Sequence, residues 1–239
     1  MTSRQKILAG ALTAALTTAA GSALAVGTYD QPVALKLTFK QHLDEGIPEQ
    51  DVFIERQKGA GLVFRPTSGE HDLSKPLYAP LNPVRRAPHD AEAVGPWVRG
   101  KPLGMTLGQW LAAEGRALYR CVDGRGHFEA QFTKLVPNGV YTLRQTFKPQ
   151  PATEPFTRSL SIPLGARDGS DAVFTADAKG AARVALDLES CLQLTGEQLA
   201  SGLALAWHSD RKTHGALTGP VSTKSHLQLY LDLPKRSGI

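Results

Sequence analysis

Residues 202–233 read GLALAWHSDRKTHGALTGPVSTKSHLQLYLDL, and this stretch decides the fold. Residues 226–233 alternate strictly between apolar and polar side chains. One face would hold Leu227, Leu229, Leu231 and Leu233, and the other His226, Gln228, Tyr230 and Asp232. Residues 202–208 alternate less cleanly, with the larger apolar side chains on one face and alanines and His208 on the other. Because strand side chains have a period of two, the pattern predicts two half-buried antiparallel strands joined by a polar loop.

Three of the chain's seven histidines, His208, His214 and His226, lie in this stretch. If the two strands share a sheet, His208 and His226 sit near the same rim with His214 above them. Neutral imidazole is a ligand of copper and zinc, and three imidazoles are enough for a metal site. These histidines are therefore the candidate metal ligands. Two alternatives stay open, since the rings could instead hydrogen-bond loop backbone or bind another polar ligand.

Outward from this stretch, short apolar and alternating runs recur with turn signals between most of them. The predicted strands are 32–40, 51–56, 61–65, 116–122, 127–135, 140–147, 156–162, 172–176, 181–188, 202–208 and 226–233. One helix is predicted at 106–114, capped by Thr106 and stopped by Gly115. This spacing favours a mainly β chain with an antiparallel β-sandwich or jelly-roll-like domain.

Four segments follow from these patterns. Residues 1–25 are predicted to be a signal peptide, 26–65 an N-terminal β extension, 66–94 a Pro-rich irregular connector, and 95–239 the β-sandwich domain. The signal peptide has Arg4 and Lys6 before an Ala/Leu-rich core, and Ala23-Leu24-Ala25 is a small-x-small cleavage site. An uncleaved membrane anchor is the alternative. We therefore expect a periplasmic or secreted protein with no membrane span after cleavage.

The two cysteines, Cys121 and Cys191, are predicted to form a disulfide because an oxidising compartment favours pairing. Two buried free thiols are the alternative. The formal net charge is +5, and removal of Arg4 and Lys6 would leave +3. The charges are interspersed, without a basic run that carries aromatic residues, so we expect no nucleic-acid partner.

Catalytic patterns are weak in this sequence. His208, Ser209 and Asp210 are adjacent, but neighbours on a strand point to opposite faces and do not converge as a triad needs. Glu129 and Asp232 are carboxylates on polar strand faces, and nothing in the sequence indicates that they meet as a glycosidase pair. A third set of carboxylates does not have the spacing of an EF-hand calcium loop, and turn chemistry explains it: Asp168, Asp171 and Asp177. We therefore predict no catalytic residues.

Residues 95–233 resemble a group of uncharacterised secreted bacterial proteins. The resemblance rests on LGQWLAAEGRALYRC, LVPNGVYTL, IPLGARDGSDAVFTADAKG, and AWHSDRKTHG followed by SHLQLY. The group has no assigned activity, so the resemblance implies one shared β-sandwich-like domain and no catalytic residues.

Three functions are compatible with these observations. The first is a non-enzymatic binding or structural module of the cell envelope, with a protein or small-molecule partner. The second is a periplasmic metal-binding protein that holds copper or zinc through His208, His214 and His226. The third is a hydrolase with an unrecognised site near the same rim. No motif implies a cofactor, and copper or zinc belongs to the second hypothesis only.

Overall fold

The computed structural model describes residues 32–41, 51–67, 69–84, 94–150 and 160–236. Within these residues the chain forms thirteen strands and one short helix. The elements are β1 (Val33–Phe39), β2 (Phe53–Ile54), β3 (Leu62–Val63), β4 (Pro76–Pro80), β5 (Trp97–Thr106), α1 (Leu107–Leu111), β6 (Glu114–Val122), β7 (Arg125–Thr133), β8 (Val140–Pro149), β9 (Leu160–Pro163), β10 (Val173–Thr175), β11 (Ala182–Leu188), β12 (Leu199–His208) and β13 (Ser225–Asp232). The predicted signal peptide lies outside the described residues.

Two antiparallel sheets pack face to face, which confirms the predicted β-sandwich. One sheet has the strand order β1-β6-β7-β11, and the other has β10-β8-β12-β13 with β9 also paired to β8. Strict alternation builds the first sheet: every second residue of β6, from Gly115 to Cys121, is buried, and the residues between them are exposed. The buried residues of both sheets form one core cluster that includes Tyr119, Phe128, Leu143 and Leu203.

A third, smaller sheet includes β4, which lies in the predicted Pro-rich connector, and three strands from the segments on either side of it. Its strand order is β2-β4-β5-β3, and a bridge between Ile54 and Phe64 joins β2 to the end of β3. Within the predicted connector 66–94, residues 76–80 form the extended strand β4. Its two prolines hide the strand from sequence, because they cannot donate to a ladder, and the β4–β5 register shifts on both sides of Tyr78.

The helix begins where the sequence predicts and ends early. Thr106 is its N-cap, and Gln109 completes a capping box with it. The predicted stop at Gly115 is wrong, since α1 ends at Leu111 and Gly115 lies within β6. Only glycine fits at position 115, because a Cβ there would lie 2.6 Å from the Phe132 ring. Close packing between two strands, not helix termination, explains this glycine.

A β-bulge in β13 corrects the predicted leucine face. Leu205 pairs with Leu229 and Ala206 pairs with Leu227, so Gln228 has no opposite residue in β12. The extra residue reverses the alternation, and Leu227 therefore lies on the other face from Leu229. Gln228 is fully buried on the core side, where it accepts a hydrogen bond from the Tyr141 hydroxyl at 2.9 Å.

The predicted disulfide is confirmed. Cys121 of β6 is bonded to Cys191, which follows β11, and their Cα atoms are 5.6 Å apart. Next to the bridge, the backbone N–H of Leu192 donates to the Tyr119 hydroxyl at 2.7 Å. Among the described residues, no helix is long and apolar enough to cross a membrane.

Candidate functional site

The three predicted histidines do not meet at one point. His208 pairs with Ser225, and His226 pairs with Trp207 in the adjacent position, so the two rings lie on opposite faces of the same sheet. The loop after β12 folds back and places the His214 ring 5.2 Å from the His208 ring. The structure therefore brings His208 and His214 together and leaves His226 on the core side.

His226 is fully buried, and both ring nitrogens have partners. Nδ1 lies 3.0 Å from the backbone oxygen of Asp51, and Nε2 lies 3.1 Å from Oγ of Ser209. A carbonyl oxygen only accepts, so Nδ1 carries the proton and Nε2 presents its lone pair to the serine hydroxyl. Burial lowers the pKa of His226, while the nearby Asp51 raises it less, so the ring is neutral.

His208 lies on the outer face of its sheet in a different environment. Its Nε2 is 2.7 Å from the Thr142 hydroxyl, and its Nδ1 is buried with no hydrogen-bond partner among the described residues. Burial, and then the nearby His214, lower the pKa of His208 to about 4. Asp210 accepts from Nε2 of His214 at 3.2 Å. This face therefore holds a neutral His208 beside a His214–Asp210 pair.

Arg144, which the sequence did not single out, fixes the loop over His208. It is 3% exposed, and its guanidinium donates to the backbone oxygens of Ala216, Leu217 and Ser161 at 2.7–3.2 Å. Burial lowers the pKa of Arg144 to about 10, which leaves it charged at neutral pH. Loop 211–220 is thus bonded to β8 by one buried cation.

The metal hypothesis gains no ligand cluster from this arrangement. Among the described residues, no group of three or more His, Cys, Asp or Glu side chains could hold a metal ion. His226 is separated from the other two rings by the sheet, and its nitrogens are engaged. Metal binding by His208, His214 and His226 stays a prediction without a three-ligand geometry in this part of the chain.

The other sequence candidates have structural partners. Glu129 lies on the exposed face of the first sheet beside His127, whose two nitrogens lie 2.7 Å from Glu129 and Asp187. Asp232 accepts from the Tyr230 hydroxyl in the second sheet, so it does not meet Glu129. The three predicted turn carboxylates accept nearby backbone N–H groups: Asp168, Asp171 and Asp177.

Asp51 connects the N-terminal part of the chain to β13. Its carboxylate accepts from Arg65 at 3.0 Å, from the Ser222 hydroxyl at 3.2 Å and from the backbone N–H of Leu227 at 3.0 Å. Asp51 and Arg65 are 3% and 1% exposed. A buried ion pair of this kind persists only with such additional hydrogen bonds. Sequence reasoning missed it because the partners are up to 176 residues apart.

A groove of about 620 Å³ lies where the third sheet meets the rim of the sandwich. Its walls come from five segments: residues 79–81 and 99–103 at the third sheet, the 136–139 turn before β8, residues 207–211 at the end of β12, and 223–224 before β13. Of the three predicted histidines, His208 lines it, together with its neighbours Ser209 and Asp210. The rim predicted from sequence is thus one wall of a groove whose other wall is the third sheet.

The groove is rich in positive charge. Four basic side chains line it, namely Arg99, Lys101, Arg211 and Lys224, against one carboxylate among the described lining residues, Asp210. Arg99 is neutralised by Glu55 at 2.8 Å. The other three cations form no ion pair with a residue that the structure describes, although Lys224 lies near enough to lower the pKa of Asp210. Three cations therefore face one carboxylate, which suits an anionic ligand.

Comparison with known proteins supplies no further assignment. No family model, no curated protein and no solved structure matches this chain. The site is therefore interpreted from its own geometry: a mainly β, sandwich-like protein with one cationic groove at the end of its second sheet.

Proposed function

We propose that this protein is a binding module of the cell envelope that holds an anionic ligand in the groove. The observation that carries the proposal is the excess of cations there, with Lys101, Arg211 and Lys224 facing Asp210. A concave site with convergent charged groups is the usual form of a small-ligand site. Binding of this kind requires no catalytic residue.

The walls of the groove are held in place before any ligand arrives. The N–H of Val136 donates to the Tyr141 hydroxyl at 2.8 Å, and the N–H of Asn138 donates to the backbone oxygen of Asp177 at 3.1 Å. On the opposite wall, a Cβ on Gly100 would lie 2.6 Å from the backbone oxygen of Pro80. A preorganised wall lowers the ordering cost of binding, which supports the proposal.

We also propose that the protein functions in an oxidising compartment outside the cytosol. The Cys121–Cys191 disulfide is typical of proteins outside the cytosol. The predicted signal peptide would deliver the chain to the periplasm or beyond. Mass analysis of the secreted protein from a bacterial host would test this: a mature N-terminus after Ala25 supports it, and an uncleaved chain in the cytosol contradicts it.

Calorimetric titration with citrate and with pyrophosphate, at low and high salt, tests the ligand class. The double variant Lys101→Glu/Lys224→Glu reverses two groove charges, and Lys179→Glu/Arg183→Glu makes the same charge change on exposed residues outside the groove. We expect the groove variant to weaken binding at least about tenfold, or ~1.4 kcal/mol, and the control to retain it. Equal affinities in both variants, or no anion binding at all, would reject the proposal.

A further inference from the structure

One pair of side chains at the groove has the geometry of a nucleophile and its base. Ser209 lines the groove, and its Oγ lies 3.1 Å from Nε2 of His226. This distance lies within the hydrogen-bond reach that an activated serine requires. Sequence reasoning had tested Ser209 with its neighbour His208, which lies on the other face of the sheet; the ring that reaches Ser209 comes from β13.

The third group of the arrangement fixes the tautomer of the base. The backbone oxygen of Asp51 accepts from Nδ1–H of His226 at 3.0 Å, so Nε2 is left unprotonated and able to take a proton. In a serine hydrolase a carboxylate does this orienting work. Here a carbonyl does it, and the carboxylate of the same residue lies nearby and is bonded to Arg65.

The hydroxyl of Ser209 has two acceptors within reach. Nε2 of His226 is at 3.1 Å, and the backbone oxygen of Lys224 is at 3.3 Å. A hydroxyl has only one proton to donate, and only donation to Nε2 satisfies the buried ring nitrogen. The hydroxyl therefore points its proton at the base, while Ser209 itself is partly exposed at the groove wall.

The environment of the ring is compatible with accepting a proton. His226 packs against Trp207 and Trp110, with ring centroids 5.4 Å and 6.5 Å away, and burial keeps it neutral. The charged groups around it are Asp51 and Asp210, which favour an imidazolium, and Arg65, which opposes it. Burial is the largest influence and lowers the pKa of His226, so Nε2 is unprotonated and available as the base, while Asp51 and Asp210 offset part of the cost of a transient positive charge on the ring.

We propose that Ser209 and His226 form a nucleophile–base pair that hydrolyses a carboxylic ester held in the groove. Oγ of Ser209 bonds to the ester carbonyl carbon while its proton passes to Nε2. The bond to the alcohol oxygen then breaks, and the alcohol leaves with that proton. Water next gives a proton to Nε2 and its oxygen to the acyl carbon, and Ser209 regains its proton as the carboxylic acid departs. Ester and water become acid and alcohol with no change of oxidation state.

The same groove selects the substrate class. An ester that carries a carboxylate or another anionic group would set that group against Lys101, Arg211 and Lys224. This activity goes beyond the proposed binding function, and only the choice of an anionic ester rests on that function.

Covalent labelling with a neutral alkyl fluorophosphonate tests the pair without using the groove charges. Attack by Oγ forms an O–P bond and expels fluoride, and peptide mapping locates the adduct. We expect labelling at Ser209 in the native chain, none in Ser209→Ala, and full labelling in the matched serine control Ser170→Ala, whose hydroxyl donates to Asp168 away from the groove. A folded native protein with no adduct at Ser209 would overturn the proposal.

A second measurement separates this proposal from anion binding. The variant Ser209→Ala removes one hydroxyl and none of the groove charges, so it should keep citrate binding while it loses fluorophosphonate labelling, and the two proposals can fail independently. Hydrolysis of a nitrophenyl ester of a dicarboxylic acid should fall about 100-fold or more in Ser209→Ala, the low end of what a positioned base contributes. Equal hydrolysis by the native chain and Ser209→Ala would count against the pair.

The base is tested with substitutions chosen for its buried position. His226→Asn retains a donor for the Asp51 oxygen and removes Nε2, so labelling should disappear while thermal melting reports the fold. If that variant does not fold, Ser209→Cys decides, because both native cysteines are in the disulfide. Its thiol should react with iodoacetamide at least about tenfold faster than the thiol of Ser170→Cys at pH 7, since a neighbouring base raises the thiolate fraction. Equal rates would refute the pairing.

Discussion

Replacing Asp51 with alanine should lower the free energy of unfolding by about 3–5 kcal/mol, the usual cost of breaking a buried ion pair from one side. The change removes the carboxylate that pairs with Arg65, which is 1% exposed and donates to Asp51 at 3.0 Å. It also removes the acceptor of the Leu227 N–H. Loss of a carboxylate that is paired with a buried guanidinium dominates this cost.

Two controls separate the cost of breaking the buried ion pair, in free energy of unfolding, from the cost of losing any carboxylate. Glu129→Ala breaks an exposed pair with Arg120, whose side chain is 59% exposed, and should cost less than about 1 kcal/mol. The double variant Asp51→Leu/Arg65→Met removes both buried charges at once. Its loss should be smaller than the sum of the single losses of Asp51→Leu and Arg65→Met, because no uncompensated charge remains.

Urea unfolding under non-reducing conditions measures these differences, with fluorescence of the buried Trp110 and Trp207 as the probe. For a domain of this size a loss of about 3–5 kcal/mol corresponds to a melting temperature lower by about 6–20 °C. The reasoning is refuted if Asp51→Ala loses no more than Glu129→Ala, or if the double variant shows additive losses.

Three further outcomes are expected from the same structure. Replacing Cys121 and Cys191 with alanine should cost about 4 kcal/mol, the loop entropy of a 70-residue closure, in urea unfolding; two alkylatable thiols in the native chain would contradict the bridge. Arg144→Met should free the 211–220 loop from β8, so limited trypsin should cleave after Arg211 at least about tenfold faster; an unchanged rate would contradict the anchoring role. His208, whose pKa falls from 6.5 to about 4 on folding, stabilises the fold fully above pH 6.5 and progressively less as pH falls toward 4. The free energy of unfolding should therefore drop less between pH 7 and 4.5 in His208→Gln than in the native chain, and equal drops would contradict the shift.

The sandwich could be predicted because its signal is local. Each strand of the first sheet carries its own alternation, as in β6, where Ala117, Tyr119 and Cys121 are buried between exposed neighbours. A period of two sets which face each residue takes without knowledge of the partner strand. The disulfide followed from the cysteine count and the expected compartment.

The orientation of Gln228 and the strand β4 depend on neighbouring strands, and a local sequence pattern does not contain that information. Gln228 reads as a polar outward residue, but the bulge turns it to the core, where the Tyr141 hydroxyl and the backbone oxygen of Trp110 satisfy it. Pro76 and Pro80 read as connector residues, but they lie at the two ends of β4, where missing donors are tolerated. Both errors come from reading polarity or proline content without the partner strand.

The candidate residues lie close together along the chain, and the structure separates them in space. Residues 208–210 do line a groove, but the base that reaches Ser209 is His226, and the group that orients it is Asp51, 175 residues away. Alternation alone places His208 and His226 on the same polar face of the sheet. The bulge at Gln228, which the sequence does not reveal, turns His226 to the core side.

Asp51 makes the fold and the proposed chemistry depend on each other. Its carboxylate joins the segment before β2 to β13, and its backbone oxygen holds the tautomer of His226. The third sheet that begins at β2 also supplies one wall of the groove, including Lys101. If that sheet separated from the sandwich, the cationic wall and the oriented base would be lost in the same event. A ligand that contacts both walls binds only the docked state and therefore stabilises it by mass action. Occupancy of the groove should thus strengthen the arrangement that aims Nε2 at Ser209, so binding and hydrolysis would be coupled through one residue and not merely adjacent.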